Sequence, residues 1–125
     1  MSFRKDRVRL VCIFKMPHMS AQYFESQFGN DSTKFSRIPV VQKNLLNFDI
    51  TLANEGFDAS LQSLGIPKST LNVLVTLEAE NLEKINEILR EQAFQEIFKG
   101  AMDGGIFDPS TTYAFSGEVM TTNDK

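Results

Sequence analysis

RVRLVCIFK, running from Arg7 to Lys15, is apolar in both of its alternating sets: Val8, Leu10, Cys12 and Phe14 on one side, Val11 and Ile13 on the other. Side chains along a strand point alternately to its two faces, so a strand written this way needs cover on both. Working outward, Pro17 ends the strand and Ser20 is placed to cap a helix carrying Tyr23, Phe24, Gln27 and Phe28. Gly29-Asn30 is a candidate stop for that helix, with one further turn available through Phe35 before Pro39. From Val40 to Leu52 the residues alternate again, with Leu46, Phe48, Ile50 and Leu52 opposite Leu45, Asn47, Asp49 and Thr51. Residues 54–69 read as a loop with one amphipathic turn, long enough to act as a lid. A third strand follows at Leu71 to Leu77, with Val73, Val75 and Leu77 opposite Asn72, Leu74 and Thr76.

Asn81 caps a helical stripe of Leu82, Ile85, Ile88 and Leu89 that resumes, as a second piece, at Phe94, Ile97, Phe98 and Met102. Gly104-Gly105 closes it, and Thr112 to Met120 is a fourth strand with Tyr113, Phe115 and Val119 opposite Ala114, Ser116 and Glu118. The order βαββαβ predicts an α+β, ferredoxin-like fold, a four-stranded antiparallel sheet with its helices on one face. The other face then presents Val11, Ile13, Leu45 and Leu74 among polar neighbours, and a second copy of the chain is the simplest cover. Two such sheets closed about a two-fold axis make a dimeric α/β barrel.

Composition narrows the function classes. At 125 residues the chain is expected to be a single domain, 1–125, and 42% hydrophobic with 23% charged residues describes a packed core rather than a disordered chain. Eleven Phe against two Tyr and no Trp make phenyl rings the main packing element. A net charge of −3 argues against a nucleic-acid or anionic-membrane partner. Cys12 alone makes neither an internal disulfide nor a thiolate cluster, and His18 is the sole imidazole, so no metal and no cofactor is expected. No apolar run approaches the ~20 residues of a membrane span and the N-terminus lacks a secretory apolar core, which predicts a soluble, cytoplasmic protein.

With Tyr113, Phe115 and Val119 assigned to the helix side, the expected barrel interior holds Arg9, Val11, Ile13, Leu45, Asn47, Asp49, Thr51, Asn72, Leu74, Thr76, Ser116 and Glu118. A few directed polar groups among aliphatic walls is the composition of a small-molecule site. The alternative is mutual pairing, with Arg9 and Glu118 close if the first and last strands are neighbours. Asp49 lies mid-strand on the mixed face, where a carboxylate removed from water becomes a better base, or simply pairs with Lys43. His18 at the end of the first strand and Tyr113 at the start of the last share one rim and could move or orient a proton. Asn47, Asn72, Thr76 and Ser116 offer hydrogen bonds to a ligand, and Ile13, Leu45 and Leu74 its apolar walls. Cys12 falls in the helix-facing set as a small buried hydrophobe.

The chain resembles the EthD-like branch of the dimeric α/β-barrel proteins. The likeness rests on the opening strand followed by Lys15-Met16-Pro17-His18-Met19-Ser20, on Phe24 in the first helix, on Asp103-Gly104-Gly105, and on Ser116-Gly117-Glu118-Val119 in the last strand. It implies a homodimer with an interior cavity for a small hydrophobic organic ligand. It also implies activities ranging from accessory roles in degradation to cofactor-free cyclisation, dehydration or decarboxylation of polyketide-like substrates. Many relatives carry His-Gly in the first helix where this chain has Phe28-Gly29, which makes Phe28 a wall residue rather than an acid or base. The leading expectation is therefore a cofactor-independent enzyme of cyclase, dehydratase or decarboxylase type. The alternatives are a non-catalytic ligand-binding or accessory protein and a purely structural dimer with a filled interior.

Overall fold

The doubly apolar first strand lies inside the sheet, where cover on both faces is required. The computed structural model describes residues 2–16, 21–105 and 108–121. Strands β1 (Ser2–Phe14), β2 (Leu45–Leu52), β3 (Val73–Ala79) and β4 (Tyr113–Thr121) form one antiparallel sheet in the order β2-β3-β1-β4. Each helical crossover skips one strand, from β1 to β2 and from β3 to β4, so the connectivity is that of a split βαβ pair.

The first crossover departs from the alternation seen in the sequence. Helix α1 (Ala21–Ser36) runs through Gly29 without a break, and Phe35 near its end is buried against the sheet. Gly29 stops nothing because its backbone keeps negative φ; the positive-φ glycines among the described residues are Gly65 and Gly105. Residues 40–44, expected as strand, form α2 (Pro39–Asn44) instead. Pro39 occupies the first turn, where its missing N–H costs nothing, and Val41 and Asn44 turn inward. The Asn44 amide donates to the Lys84 carbonyl (2.9 Å) and to Glu87 Oε2 (2.7 Å), pinning α2 to the second crossover.

Residues 53–72 join β2 to β3 and include α3 (Asp58–Ser63). The second crossover is two helices, α4 (Leu82–Leu89) and α5 (Gln92–Asp103), as the interrupted stripe predicts. Asn81 Oδ1 accepts the Lys84 N–H at 3.0 Å, the expected cap, and Gly105 with φ of +74° follows the end of α5.

The core lies between helices and sheet. Phe35, Ile38, Val41, Leu77 and Ile88 form one buried cluster, and Phe14, Met16, Val73 and Ala101 another. Phe35 stands edge-on to Phe48 (5.0 Å between centroids, 89°) and packs at 5.9 Å against Phe94. Phenyl packing is thus concentrated where α1 and α5 cross the sheet.

Two face assignments are corrected. In β4, Ala114 lies opposite Cys12 and Ser116 opposite Leu10, while Tyr113 lies opposite Ile13 and Phe115 opposite Val11. Directly paired residues share a face, so Ala114, Ser116 and Glu118 are on the helix side and Tyr113 and Phe115 on the bare side, the reverse of the expectation. In β2, a register shift between Leu45 and Asn47 leaves Leu45 opposite Ala79 and packed with the helix-side core, with Leu46 exposed. An extra residue in one strand flips every side chain before it, which simple alternation cannot foresee.

Candidate functional site

Pairing register fixes what the bare face carries. Asn47, Glu78, Arg9 and Gly117 form one row across the sheet; Asp49, Thr76, Val11 and Phe115 the next; Thr51, Leu74, Ile13 and Tyr113 the third. The structure therefore brings Asn47, Asp49, Thr76, Leu74, Ile13 and Tyr113 together on one surface. It does not bury them: Asp49 is exposed and accepts the Asn47 amide at 2.6 Å, while Tyr113 and Phe115 are 64% and 68% exposed. Asp49 is paired with its strand neighbour rather than with Lys43.

The expected pairing of Arg9 with Glu118 is also corrected. β1 and β4 are neighbours, but Glu118 lies opposite Val8 on the helix side. Arg9 reaches across to β3 instead, where its Nε donates to Glu78 Oε1 at 2.9 Å and its terminal nitrogen to the same oxygen, while Arg7 donates to Oε2 at 3.2 Å. Glu78, 4% exposed, is thus satisfied by two guanidinium groups.

Asn72 is half-buried, and its side chain is bonded to backbone. Its Oδ1 accepts the Met16 N–H at 2.8 Å and its Nδ2 donates to the Met16 carbonyl at 3.0 Å, so the side chain mimics a strand partner for the end of β1. Ser116 and Leu45 lie on the helix side as described. His18 and the side chain of Phe28 lie outside the described residues.

The enclosed space is on the other side of the sheet. A half-open cavity of about 370 Å³ lies between sheet and helices, within the range of small-molecule sites. Its floor is Leu10, Cys12 and Phe14 of β1, Phe48 of β2, Val75 and Leu77 of β3, and Thr112 and Ala114 at the start of β4. Its roof is Asp31, Ser32 and Phe35 of α1, Leu89 at the end of α4, and Phe94, Ile97, Phe98 and Ala101 of α5. No described residue of the 53–72 connection lines it, so the lid expected there has no counterpart in these walls.

The described lining is almost wholly apolar; its polar residues are Asp31, Ser32 and Thr112, with the weakly polar thiol of Cys12. Burial pushes the Cys12 thiol up from its ordinary pKa, which keeps it protonated and unreactive at neutral pH. The Thr112 hydroxyl is already committed as a donor to the Asp108 carbonyl at 2.7 Å. Among the described residues no group of three His, Cys, Asp or Glu side chains comes together, and no helix is long and apolar enough to cross a membrane.

Asp31 was missed in the sequence, although a signal for it exists. Phe24, Phe28, Asp31 and Phe35 are spaced 4, 3 and 4 apart, so the aspartate stands on the apolar stripe of α1. Asp31 is among the described residues that line the cavity.

No protein-family model and no curated protein sequence matches the chain. Solved structures do. An ethyl tert-butyl ether D (EthD) family protein from Bacillus halodurans superposes with a TM-score of 0.62 at 16% identity, covering 91% of this chain and 99% of that one. The chain has the ferredoxin-like fold of that protein. Hydroxynitrile lyase from Passiflora edulis shares it at a TM-score of 0.64 and 6% identity, over 97% of this chain and 100% of the lyase. So does a cofactor-independent oxygenase from Streptomyces nogalater, at 0.53 and 13%, over 95% and 96%. Two further structures of this fold, from Bacteroides fragilis and Thermobifida fusca, are dimeric ferredoxin-like proteins. The EthD-type fold therefore serves small-molecule enzymes, among other proteins.

Proposed function

We propose that this EthD-fold chain is a cofactor-independent enzyme of cyclase, dehydratase or decarboxylase type, acting on a hydrophobic, oxygenated, polyketide-like molecule held in the helix-side cavity. The observation that carries the reading is the cavity itself: aromatic and aliphatic walls large enough for a bicyclic ligand, with Asp31 among the described residues that line it. The cofactor-independent oxygenase and the hydroxynitrile lyase of the same fold support small-molecule chemistry on this scaffold.

In a cyclisation, the Asp31 carboxylate takes a proton from a carbon flanked by two carbonyls. The enolate so formed attacks a third carbonyl of the same folded chain, and the carboxyl returns its proton to the new alkoxide. The phenyl walls hold the reactive conformer, which is where most of the acceleration would arise. The test is to titrate the protein with aromatic and 1,3-diketone ligands, then assay turnover in wild type and Asp31→Asn. Turnover lost in the variant with binding retained supports the enzyme; tight binding without turnover in the wild type leaves a non-catalytic binding protein.

The bare face supports a homodimer in the same reading. Val11, Ile13, Leu74, Tyr113 and Phe115 form a contiguous apolar surface beside the Arg7–Glu78–Arg9 group, and dimeric proteins share the fold. Sedimentation should show a dimer that Phe115→Glu converts to a folded monomer; a wild-type monomer at micromolar concentration overturns it.

A further inference from the structure

The connection between β2 and β3 is an ordered arm with an uncovered apolar side. The Ala53 N–H donates to the Asn72 carbonyl at 2.8 Å, carrying the β2–β3 pairing one step past the strands. Beyond it, Lys68 Nζ lies 3.6 Å from Glu55 and 3.7 Å from Asp58, which ties the end of the arm to its start. Phe57, Leu61 and Leu64 follow at helical spacings of four and three around α3, so they share one side. Ile66 is folded back toward them, its N–H donating to the Leu61 carbonyl at 2.9 Å. All four are exposed, Phe57 at 74% and Leu64 at 75%, and none of them lines the helix-side cavity. Such a cluster marks a contact surface. Its charged neighbours are two acids, Glu55 and Asp58, against one base, Lys68, which is the wrong balance for an anionic lipid surface.

We infer that this arm, residues 53–72, docks on a second copy of the chain, with Phe57 and Leu64 against the start of the second copy's β4 at Tyr113. This rests on the reading of the bare face as a dimer interface and deepens it. Continuity favours a second copy as the occupant: the arm leaves the sheet beside the row Thr51, Leu74, Ile13 and Tyr113, and so extends the apolar end of the bare face. Area favours it as well. Three rows on four strands span about 19 Å by 20 Å, or about 400 Å² in plan, whereas a stable interface takes about 800 Å² from each partner. The sheet alone falls short, and the arm adds apolar surface at its edge.

Polarity along the face fixes which part of the second copy the arm meets. Sheets packed face to face keep their strands within about 30° of each other, so the two-fold axis runs either along the strands or across them. Across them, the charged row falls on the apolar one, with Glu78 on the second copy's Leu74 and Arg9 on its Ile13, which leaves charge against hydrocarbon. Along them, each row meets itself with the strand order reversed: Glu78 faces the second copy's Arg9, and Leu74 faces its Ile13. β2 then lies over the second copy's β4, Thr51 facing Tyr113, and the arm that follows β2 reaches the start of that strand.

Sedimentation equilibrium on the full chain tests the docking, and cross-linking tests its place. Phe57→Ser combined with Leu64→Ser should raise the dimer dissociation constant at least about tenfold, since apolar area is lost from both copies. Both side chains are exposed in the protomer, so the circular dichroism of that variant should match the wild type. Leu64→Cys and Tyr113→Cys proteins, mixed in equal amounts with a short bis-maleimide, should give a product joining position 64 of one chain to position 113 of the other, identified by mass spectrometry of its peptides. An unchanged dissociation constant overturns the arm contact and leaves the sheet-face dimer standing. Linkage of two positions 64, or none between 64 and 113, overturns the placement. A wild-type monomer overturns the arm contact and the dimer together, and binding of that monomer to neutral lipid vesicles would give the arm to a membrane instead.

Discussion

Replacing Asn72 separates a structural role from a ligand-binding one. Its amide makes two hydrogen bonds to the backbone of Met16, a residue 1% exposed, at 2.8 and 3.0 Å. Asn72→Ala removes both. Each bond contributes about 1 kcal/mol net, and the inward-facing Met16 N–H left without a partner adds a desolvation cost of about 1–2 kcal/mol. The total is about 3–4 kcal/mol, which for a chain of this length lowers Tm by roughly 4 °C per kcal/mol, or about 12–16 °C. Asn72→Asp sharpens the test. One carboxylate oxygen still accepts the Met16 N–H, but the other now faces the Met16 carbonyl, an acceptor against an acceptor, unless a proton lies between them.

The aspartate in that variant is therefore held above its unfolded pKa of about 3.9. A raised folded pKa contributes stability that is fully present below about pH 3.9 and is lost as pH rises through the folded value. The Tm difference between wild type and Asn72→Asp should shrink on acidification and widen toward neutrality, read by circular dichroism across pH 3 to 7. Affinity for the cavity ligand, measured well below the lowered Tm, should not change in either variant. The reasoning fails if Asn72→Ala melts within about 2 °C of wild type and loses the ligand instead, because the amide would then serve the ligand and not β1.

Two other perturbations probe the site and its rim. Because burial raises its pKa, Cys12 should react with iodoacetamide far more slowly than free cysteine at pH 8, and a cavity ligand should slow it further; fast alkylation at pH 7 contradicts its placement in the wall. Asp108, whose carboxylate accepts the Ser110 N–H at 2.9 Å, is held below the ordinary 3.8 by that bond. Its contribution to the turn before β4 is present above pH 3.8 and lost only as pH falls through the depressed value, so an NMR titration should place its midpoint under 3.8.

The fold was legible because it rests on features that a sequence states directly. RVRLVCIFK required two-sided cover, the Asn81 cap and the interrupted Leu82-to-Met102 stripe gave the paired helices, and four strands in βαββαβ order leave few topologies. The helix-side cavity was not legible, because it depends on which way two strands face. In β4 both alternating sets are plausible inner faces, Tyr113, Phe115 and Val119 by hydrophobicity and Ala114 and Ser116 by size, and hydrophobicity chose the wrong one. In β2 an irregularity before Asn47 moved Leu45 to the helix side. Tyr113 accordingly falls on the bare face, where Asp49 lies as expected, and Asn72 is held by backbone. Asp31 shows what a better reading would weigh, a charged residue on the apolar stripe of a helix.

The orientation of β4 links the cavity to the bare face. Its small residues turn toward the helices: Ala114 is paired beside Cys12, and Ala101 of α5 lines the same cavity. Its large residues, Tyr113 and Phe115, turn away. One choice of face thus leaves unfilled volume between the layers and puts aromatic surface on the outside, where a second protomer would cover it. Ala114→Phe tests the link, since it adds a ring inside without touching the outer aromatics. A ring that enters the open end of the cavity gains apolar contacts there, so Tm should hold or rise while ligand binding disappears and the sedimentation coefficient stays that of the wild type. Retained ligand affinity would place the binding site elsewhere, and a change in oligomeric state would show that the two sides of β4 are not independent.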